Sequence, residues 1–212
     1  MTNALLRNFK RACTVVGARL PATRLHGLQM VLNYMKLGAW MKARGFRVPR
    51  RVGDREAVFE AAARLVRDEP VLYLEFGVFR GESLRYWSAA LRHPDARLHG
   101  FDSFEGLPED FDVGGPHVKG TFDLGGVPPV VDDPRVTLFK GWFDRVLPGY
   151  EVPRHDRLVV VMDADLYSST TCVLGKLRPK WTTRFWITLC AGVIVGDSLV
   201  GAGDAFWKMF TG

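Results

Sequence analysis

Residues 71–109 read VLYLEFGVFRGESLRYWSAALRHPDARLHGFDSFEGLPE. A short apolar run ends at Glu75, a turn bearing Gly77 and Gly81 follows, then a helix-like segment, and a second apolar run ends at Asp102. Strand, loop, helix and strand in this order fill the ~30 residues of one βαβ piece. Acids stand at the carboxyl ends of both strands, where open α/β sheets hold their ligands. The stretch separates a nucleotide-type cofactor protein from an unspecified globular domain.

The same alternation continues downstream. Strand candidates are 71–76, 97–102, 135–140, 157–163 and 192–196, with helices fitting between them at 81–92 and 168–178. Strands alternating with helices imply a mostly parallel sheet covered on both faces. Upstream, residues 1–45 read as helix, for Leu28, Val31, Leu32, Met35 and Leu37 recur near helical spacing. Pro49 and the Arg50-Arg51 pair mark a boundary, and a helix over 54–66 follows with Asp54 as its N-cap. The chain divides into an N-terminal arm, 1–53, and a domain, 54–212. Residues 105–134 hold six glycines, five prolines and seven acids with little periodicity. A loop of that length in a compact domain is read as a flap over the active site.

Charge is distributed unevenly. Eleven of the 29 Lys/Arg fall in residues 1–53, where there is no Asp or Glu, so the other 18 face all 23 acids, a net of −5 for the remainder. The overall +6 belongs to the arm, and the basic charge is not spread over the domain as nucleic-acid binding would require. The acid-free arm is similar to a transit peptide or a membrane-surface helix, but a cap on the domain is the expectation. Its apolar helical character makes a homo-oligomer a further expectation. No apolar run reaches the roughly 18 residues of a membrane span. Cys13, Cys172 and Cys190 are odd in number and widely spaced, as expected of free thiols in a reducing cytoplasm.

The chemistry-bearing residues gather at predicted strand ends. In E-F-G-V-F-R-G-E-S, 75–83, glycine lets the backbone approach a ligand and the next helix N-terminus offers free N–H groups. The spacing is not GxGxxG, so a dinucleotide fingerprint is not supported. Glu75, ahead of the turn, suits a cationic ligand end, and Ser83 is placed to hydrogen-bond a carboxylate. Asp102 is positioned to accept from ribose hydroxyls, or alternatively to cap a turn, since D-S-F-E has capping-box spacing. Asp163 and Asp165 close a strand apolar enough to be buried on both faces. At i and i+2 they share a side if extended, and like charges that close call for a cation or proton between them. A hard divalent ion such as Mg²⁺ takes ligands of this kind, and Asp197 at the end of 192–196 would complete a two-carboxylate set. The helix beginning near Ser168 offers a capping role instead. The five histidines are scattered, and only His117, in the long loop, is a tempting base; a solvated loop histidine is the plainer reading.

Four ordered segments, LEFGVFRGESL (74–84), GFDSFEGLPEDF (100–111), KGWFDRVLP (140–148) and MDADLYSSTTCVL (162–174), together resemble the macrocin O-methyltransferase family. These enzymes use S-adenosylmethionine to methylate sugar hydroxyls of natural products. The resemblance implies a class I methyltransferase fold, a Rossmann-like, mostly parallel α/β sheet. It implies that Glu75, Gly77 and Ser83 line the methionine end of the cofactor, Asp102 and Ser103 hold the ribose, and Gly141 and Trp142 lie near the adenine. Asp163, with Asp197, would bind Mg²⁺, and Asp165 would be the general base toward a hydroxyl of a sugar or glycoside, with no nucleic acid partner. The resemblance weakens after residue 180: Trp181–Ala191 intervene before the next apolar run, and Gly196 stands where the family pattern has the first of two acids. The C-terminal sheet edge is therefore expected to be incomplete. The alternative function is a methyltransferase-fold protein that binds cofactor without a complete metal site.

Overall fold

A computed structural model describes residues 3–45, 55–110, 117–177 and 186–190. Its elements in chain order are α1 (Asn3–Gly17), α2 (Ala22–Ala43), α3 (Arg55–Ala63), β1 (Val71–Phe76), α4 (Glu82–Ala90), β2 (Arg97–Asp102), β3 (Val136–Lys140), α5 (Phe143–Val146), a 3₁₀ turn (Leu147–Gly149), β4 (Arg157–Met162), α6 (Tyr167–Leu177) and β5 (Trp186–Cys190). The strands form one sheet in the order β3-β2-β1-β4-β5. All four pairings are parallel. This is the parallel sheet expected from the alternating pattern, and the Rossmann-like architecture that the family resemblance implies.

The strand alternation assigns each face of the sheet. In VLYLEF every residue of β1 is buried. Val71 and Tyr73 join Leu98, Val159 and Val161 in a cluster with Phe59 of α3 and Leu84 and Trp87 of α4. Leu72, Leu74 and Phe76 join Phe101, Leu158, Val160 and Met162 on the other face, under Leu147, Tyr150 and the α6 side chains Val173, Leu174 and Leu177. Successive side chains of a strand point to opposite faces, so one apolar run serves both layers. Trp87 anchors the first layer, with ring centroids 5.3 Å from Tyr73 and 5.7 Å from Phe59. Phe101 anchors the second, stacked between Phe76 at 4.9 Å and Phe139 at 4.8 Å.

The order reverses at β1: the chain runs outward through β2 and β3, then returns across β1 to β4 and β5. Such a switch point opens a crevice beyond the carboxyl ends of the flanking strands. Phe76 pairs with Phe101 on one side and Met162 on the other, so the segments beginning at Gly77, Asp102 and Asp163 leave the sheet side by side.

The structure adjusts several sequence boundaries. The strand beside β4 is Trp186–Cys190, in register Leu158 with Trp186 through Met162 with Cys190. It lies within the residues read from sequence as an insertion, while the predicted strand 192–196 lies outside the described residues. Both runs are short and apolar, and periodicity cannot choose between them. Residues 1–45 split into two helices at Pro21, whose φ of −64° and ψ of 145° end one helix and precede the next. The expected N-cap Asp54 lies outside the described residues. A turn of helix and a 3₁₀ turn, 143–149, were not expected.

Candidate active site

A cleft of about 620 Å³ opens at the switch point. Its wall is built from the loop after β1, the loop after β2, Gly141–Arg145 after β3, and Asp163–Cys172 after β4, with Arg55 of α3 at the rim. Of the residues singled out from sequence, it brings together Gly77, Ser83, Asp102, Ser103, Gly141, Trp142, Asp163 and Asp165. Glu75 is not in the lining and Asp197 lies outside the described residues.

Glu75 is wholly buried. Alternation puts it on the Tyr73 face of β1, beneath α4. One carboxylate oxygen accepts from Tyr73 Oη at 2.8 Å and the other from Ser83 Oγ. Burial pushes its pKa up to about 7, against the opposing pull of Ser83 and Tyr73. The triad ties the end of β1 to the first turn of α4, and Ser83 reaches the cleft from the same turn.

Gly77 follows with φ +92°, and a Cβ there would lie 2.0 Å from the Asp163 carbonyl oxygen. The chain leaving β1 thus touches the backbone leaving β4, a contact open only to glycine. Gly81, also at positive φ, caps α4 without a side-chain bond. Asp102 braces the loop between these glycines: Oδ2 accepts from the backbone N–H of Val78 and of Phe79 at 2.8 Å each, and Oδ1 from Phe104 N–H at 2.8 Å. A carboxylate oxygen has about two lone pairs, so Oδ2 is filled and Oδ1 retains one acceptor position. The two sequence readings of Asp102, turn residue and ligand acceptor, are compatible on one side chain. The Gly141 N–H donates to the Asp102 carbonyl at 2.9 Å, which brings Gly141 and Trp142 to the same wall.

Asp163 accepts from Arg55 Nη2 at 3.0 Å through Oδ2. Its side chain is 25% exposed, and burial raises its pKa to about 6 while Arg55 opposes the rise. Asp165 stands at φ +52°, and burial raises its pKa against a lowering by the charge of His117. An aspartate tolerates this left-handed conformation better than most residues. The turn it makes carries the chain from β4 into α6.

The described residues include one carboxylate of the expected Mg²⁺ pair, Asp163. None of them forms a group of three His, Cys, Asp or Glu side chains able to hold a metal ion. Asp163 already has a cation at hydrogen-bond distance, the Arg55 guanidinium. Asp197, the other carboxylate of the expected pair, lies outside the described residues, and those described give no support to a divalent-ion site.

Sequence reasoning did not find Arg55, Phe79, Glu82, Phe122 or Cys172 in the lining. Arg55 precedes no motif, and the others depend on how loops fold back. The long loop contributes Gly106, Leu107, Pro108 and Phe122 to the wall. Phe122 packs edge-on against Phe79 of the glycine turn, at 5.3 Å. His117 stacks on Phe122 at 5.3 Å, and Ser168 Oγ donates to Glu109 at 2.5 Å.

A family model for macrocin-O-methyltransferase (TylF) matches residues 52–200. The chain belongs to this family. Among curated proteins it is 34% identical over 132 residues to an 8-demethyl-8-(2,3-dimethoxy-alpha-L-rhamnosyl)-tetracenomycin-C 4'-O-methyltransferase of Streptomyces olivaceus, covering 50% of this chain and 47% of that protein. The chain thus spans about half the length of the curated relative it matches. Among solved structures, the O-methyltransferase NovP is similar at 24% identity and TM-score 0.49, covering 74% of this chain and 69% of that one. A putative rRNA-methylase of Clostridium thermocellum follows at 16% identity and TM-score 0.43, covering 77% and 82%. The matched family region, 52–200, takes in the whole wall of the cleft and excludes the basic arm.

Proposed function

We propose that the protein is an S-adenosylmethionine-dependent O-methyltransferase that methylates a hydroxyl of a sugar or similar small natural product. One observation carries the reading: a single cleft at the switch point gathers the four sequence segments that resemble the family. Its volume is in the range of small-molecule sites, about 300–1,000 Å³.

The donor set suits the cofactor. Asp102 Oδ1 retains an acceptor position for a ribose hydroxyl, Ser103 lies beside it, and Trp142 offers an aromatic face for the adenine. Gly77, Ser83 and the carboxylate of Glu82 surround the glycine turn, where the amino-acid end of the cofactor would lie. Glu75 acts through Ser83, holding it in place from beneath. When bound, the cofactor supplies a methyl group already electrophilic on its sulfonium. The chain's task is alignment and removal of one proton. Asp165 takes the acceptor's hydroxyl proton, its basicity raised by burial. Asp163, oriented by Arg55, holds a negative charge on the same wall.

Mg²⁺ assistance through Asp163 and Asp197 has no support among the described residues, and no step is assigned to a metal. Isothermal titration with S-adenosylmethionine should give a micromolar Kd that is unchanged by EDTA; no binding at high micromolar concentration would overturn the proposal. Cofactor binding without methyl transfer to any glycoside acceptor would instead favour the non-catalytic reading.

A further inference from the structure

The arm carries a face that the proposed function does not use. α1 is amphipathic: Leu5, Leu6, Phe9, Ala12, Cys13 and Val16 fall on one side of the helix, and Arg7, Lys10 and Arg11 on the other. Every side chain from Leu5 to Val16 is exposed, with Phe9 at 62% and Leu5 at 60%. The apolar face therefore covers nothing of the described domain.

Three occupants can be weighed by charge and shape. A second α1 would bring like charges together, since residues 1–53 contain no acid to complement their eleven basic side chains. The domain of another copy is acidic. Among the described residues, however, its large exposed apolar side chains are scattered between Leu65, Tyr167 and the 118–130 loop, and give no matching face. Nucleic acid would use the basic side and leave the apolar side in water. An anionic lipid surface takes both at once: the basic side chains meet the headgroups while the apolar side sinks below them. No described helix is long and apolar enough to cross a membrane, which leaves binding in the plane of the interface.

We infer that α1 is an interfacial helix that docks the protein on anionic phospholipid membranes. The inference stands apart from the methyltransferase reading, because it uses no cleft residue.

The test is co-sedimentation of the full chain with vesicles of phosphatidylcholine alone or mixed with phosphatidylglycerol. The chain should pellet with the mixed vesicles and not with the neutral ones, and lose at least about tenfold in affinity between roughly 0.1 and 0.5 M NaCl. Replacing Arg7, Lys10 and Arg11 together by Gln should weaken binding about 100-fold, at about fivefold per basic residue. Leu5→Ser with Phe9→Ser should abolish it. Both variants should keep the parent's thermal unfolding and cofactor titration, since these side chains are exposed. No pelleting with anionic vesicles overturns the inference. So does lipid binding that survives the Leu5/Phe9 change. A dimer seen by sedimentation velocity without lipid and lost in that variant would assign the face to a second copy, and RNA binding lost in the Arg7/Lys10/Arg11 variant, with no vesicle binding by the parent, would assign the arm to nucleic acid; either overturns it.

Discussion

Arg55 Nη2 donates to Asp163 Oδ2 at 3.0 Å, joining the first turn of α3 to the residue just beyond β4. The pair spans 108 residues of sequence and closes one side of the cleft. Arg55 is half exposed, so its bond to Asp163 is partly screened. Burial holds Asp163 near pKa 6, and Arg55 keeps it from rising further. Arg55→Gln should therefore move the NMR-followed titration profile of the Asp163 carboxyl about half to one pH unit upward. An unmoved profile would show that Arg55 does not act as the counter-ion.

Asp163 also links pH to stability. Its folded pKa, about 6, lies above the ordinary 3.8. The stability it contributes is complete below the ordinary value and is lost as pH rises through about 6. At pH 7.5 the ionised carboxylate is a cost that an amide does not carry. Asp163→Asn should then gain about 1 kcal/mol after allowance for partial exposure, or 2–4 °C in Tm. Below pH 4 the gain should vanish. Thermal unfolding at the two pH values decides it: an equal shift at both would exclude titration as the cause.

Glu75 makes a sharper case, because its two bonds and complete burial separate hydrogen bonding from charge. Glu75→Leu strands the Tyr73 hydroxyl in the core and should cost about 2–4 kcal/mol. Glu75→Gln keeps a carbonyl acceptor for Tyr73 and removes the buried charge. With the parent pKa raised from 4.5 to about 7, stability falls as pH rises across that interval, and the Gln variant should lose this slope. Denaturant titrations at pH 5, 7 and 8 would show it; equal slopes in parent and Gln variant would mean that folding does not raise the pKa of Glu75.

Much of this arrangement was legible in the sequence. The apolar runs of β1, β2 and β4 and the acids closing them could be read because strand ends are local and the cleft of a parallel sheet lies at one edge. The environment of Glu75 was not, since period-two alternation turns that side chain toward α4 although the residue sits one place from the strand end. Arg55 was invisible because its partner lies on another element and no spacing announces it. The strand beside β4, Trp186–Cys190, was not picked out, because it is one of two short apolar runs and periodicity does not rank them; the other, 192–196, lies outside the described residues. The exposure of α1 could not be foreseen either, for an amphipathic pattern states that a face is apolar and not what covers it.

Asp165 should separate catalysis from conformation. Its φ of +52° is tolerated by Asn and strained for Ala. Asp165→Asn should keep the fold, keep cofactor binding within about twofold and lower kcat about 10²–10⁴-fold, the range of a lost general base. Asp165→Ala should add a stability loss of about 1 kcal/mol. Turnover retained in the Asn variant would reject Asp165 as the base and turn attention to Asp163 or to His117.

Gly77 tests whether the glycine turn shapes the cleft from both sides. An added Cβ would lie 2.0 Å from the Asp163 oxygen and 2.7 Å from its carbonyl carbon, both backbone atoms. The φ of +92° adds strain for any other residue. In Gly77→Ala either the turn or the chain leaving β4 must move, and both carry cleft residues. The expected result is a loss of about 3 kcal/mol or more, some 6–12 °C in Tm, together with loss of cofactor binding. Gly149→Ala is the matched control, because a Cβ there meets nothing within 4 Å. It should leave both measurements at parental values. If Gly77→Ala bound cofactor normally at reduced stability, the contact with Asp163 would serve packing alone and the glycine turn would not set the geometry of the site.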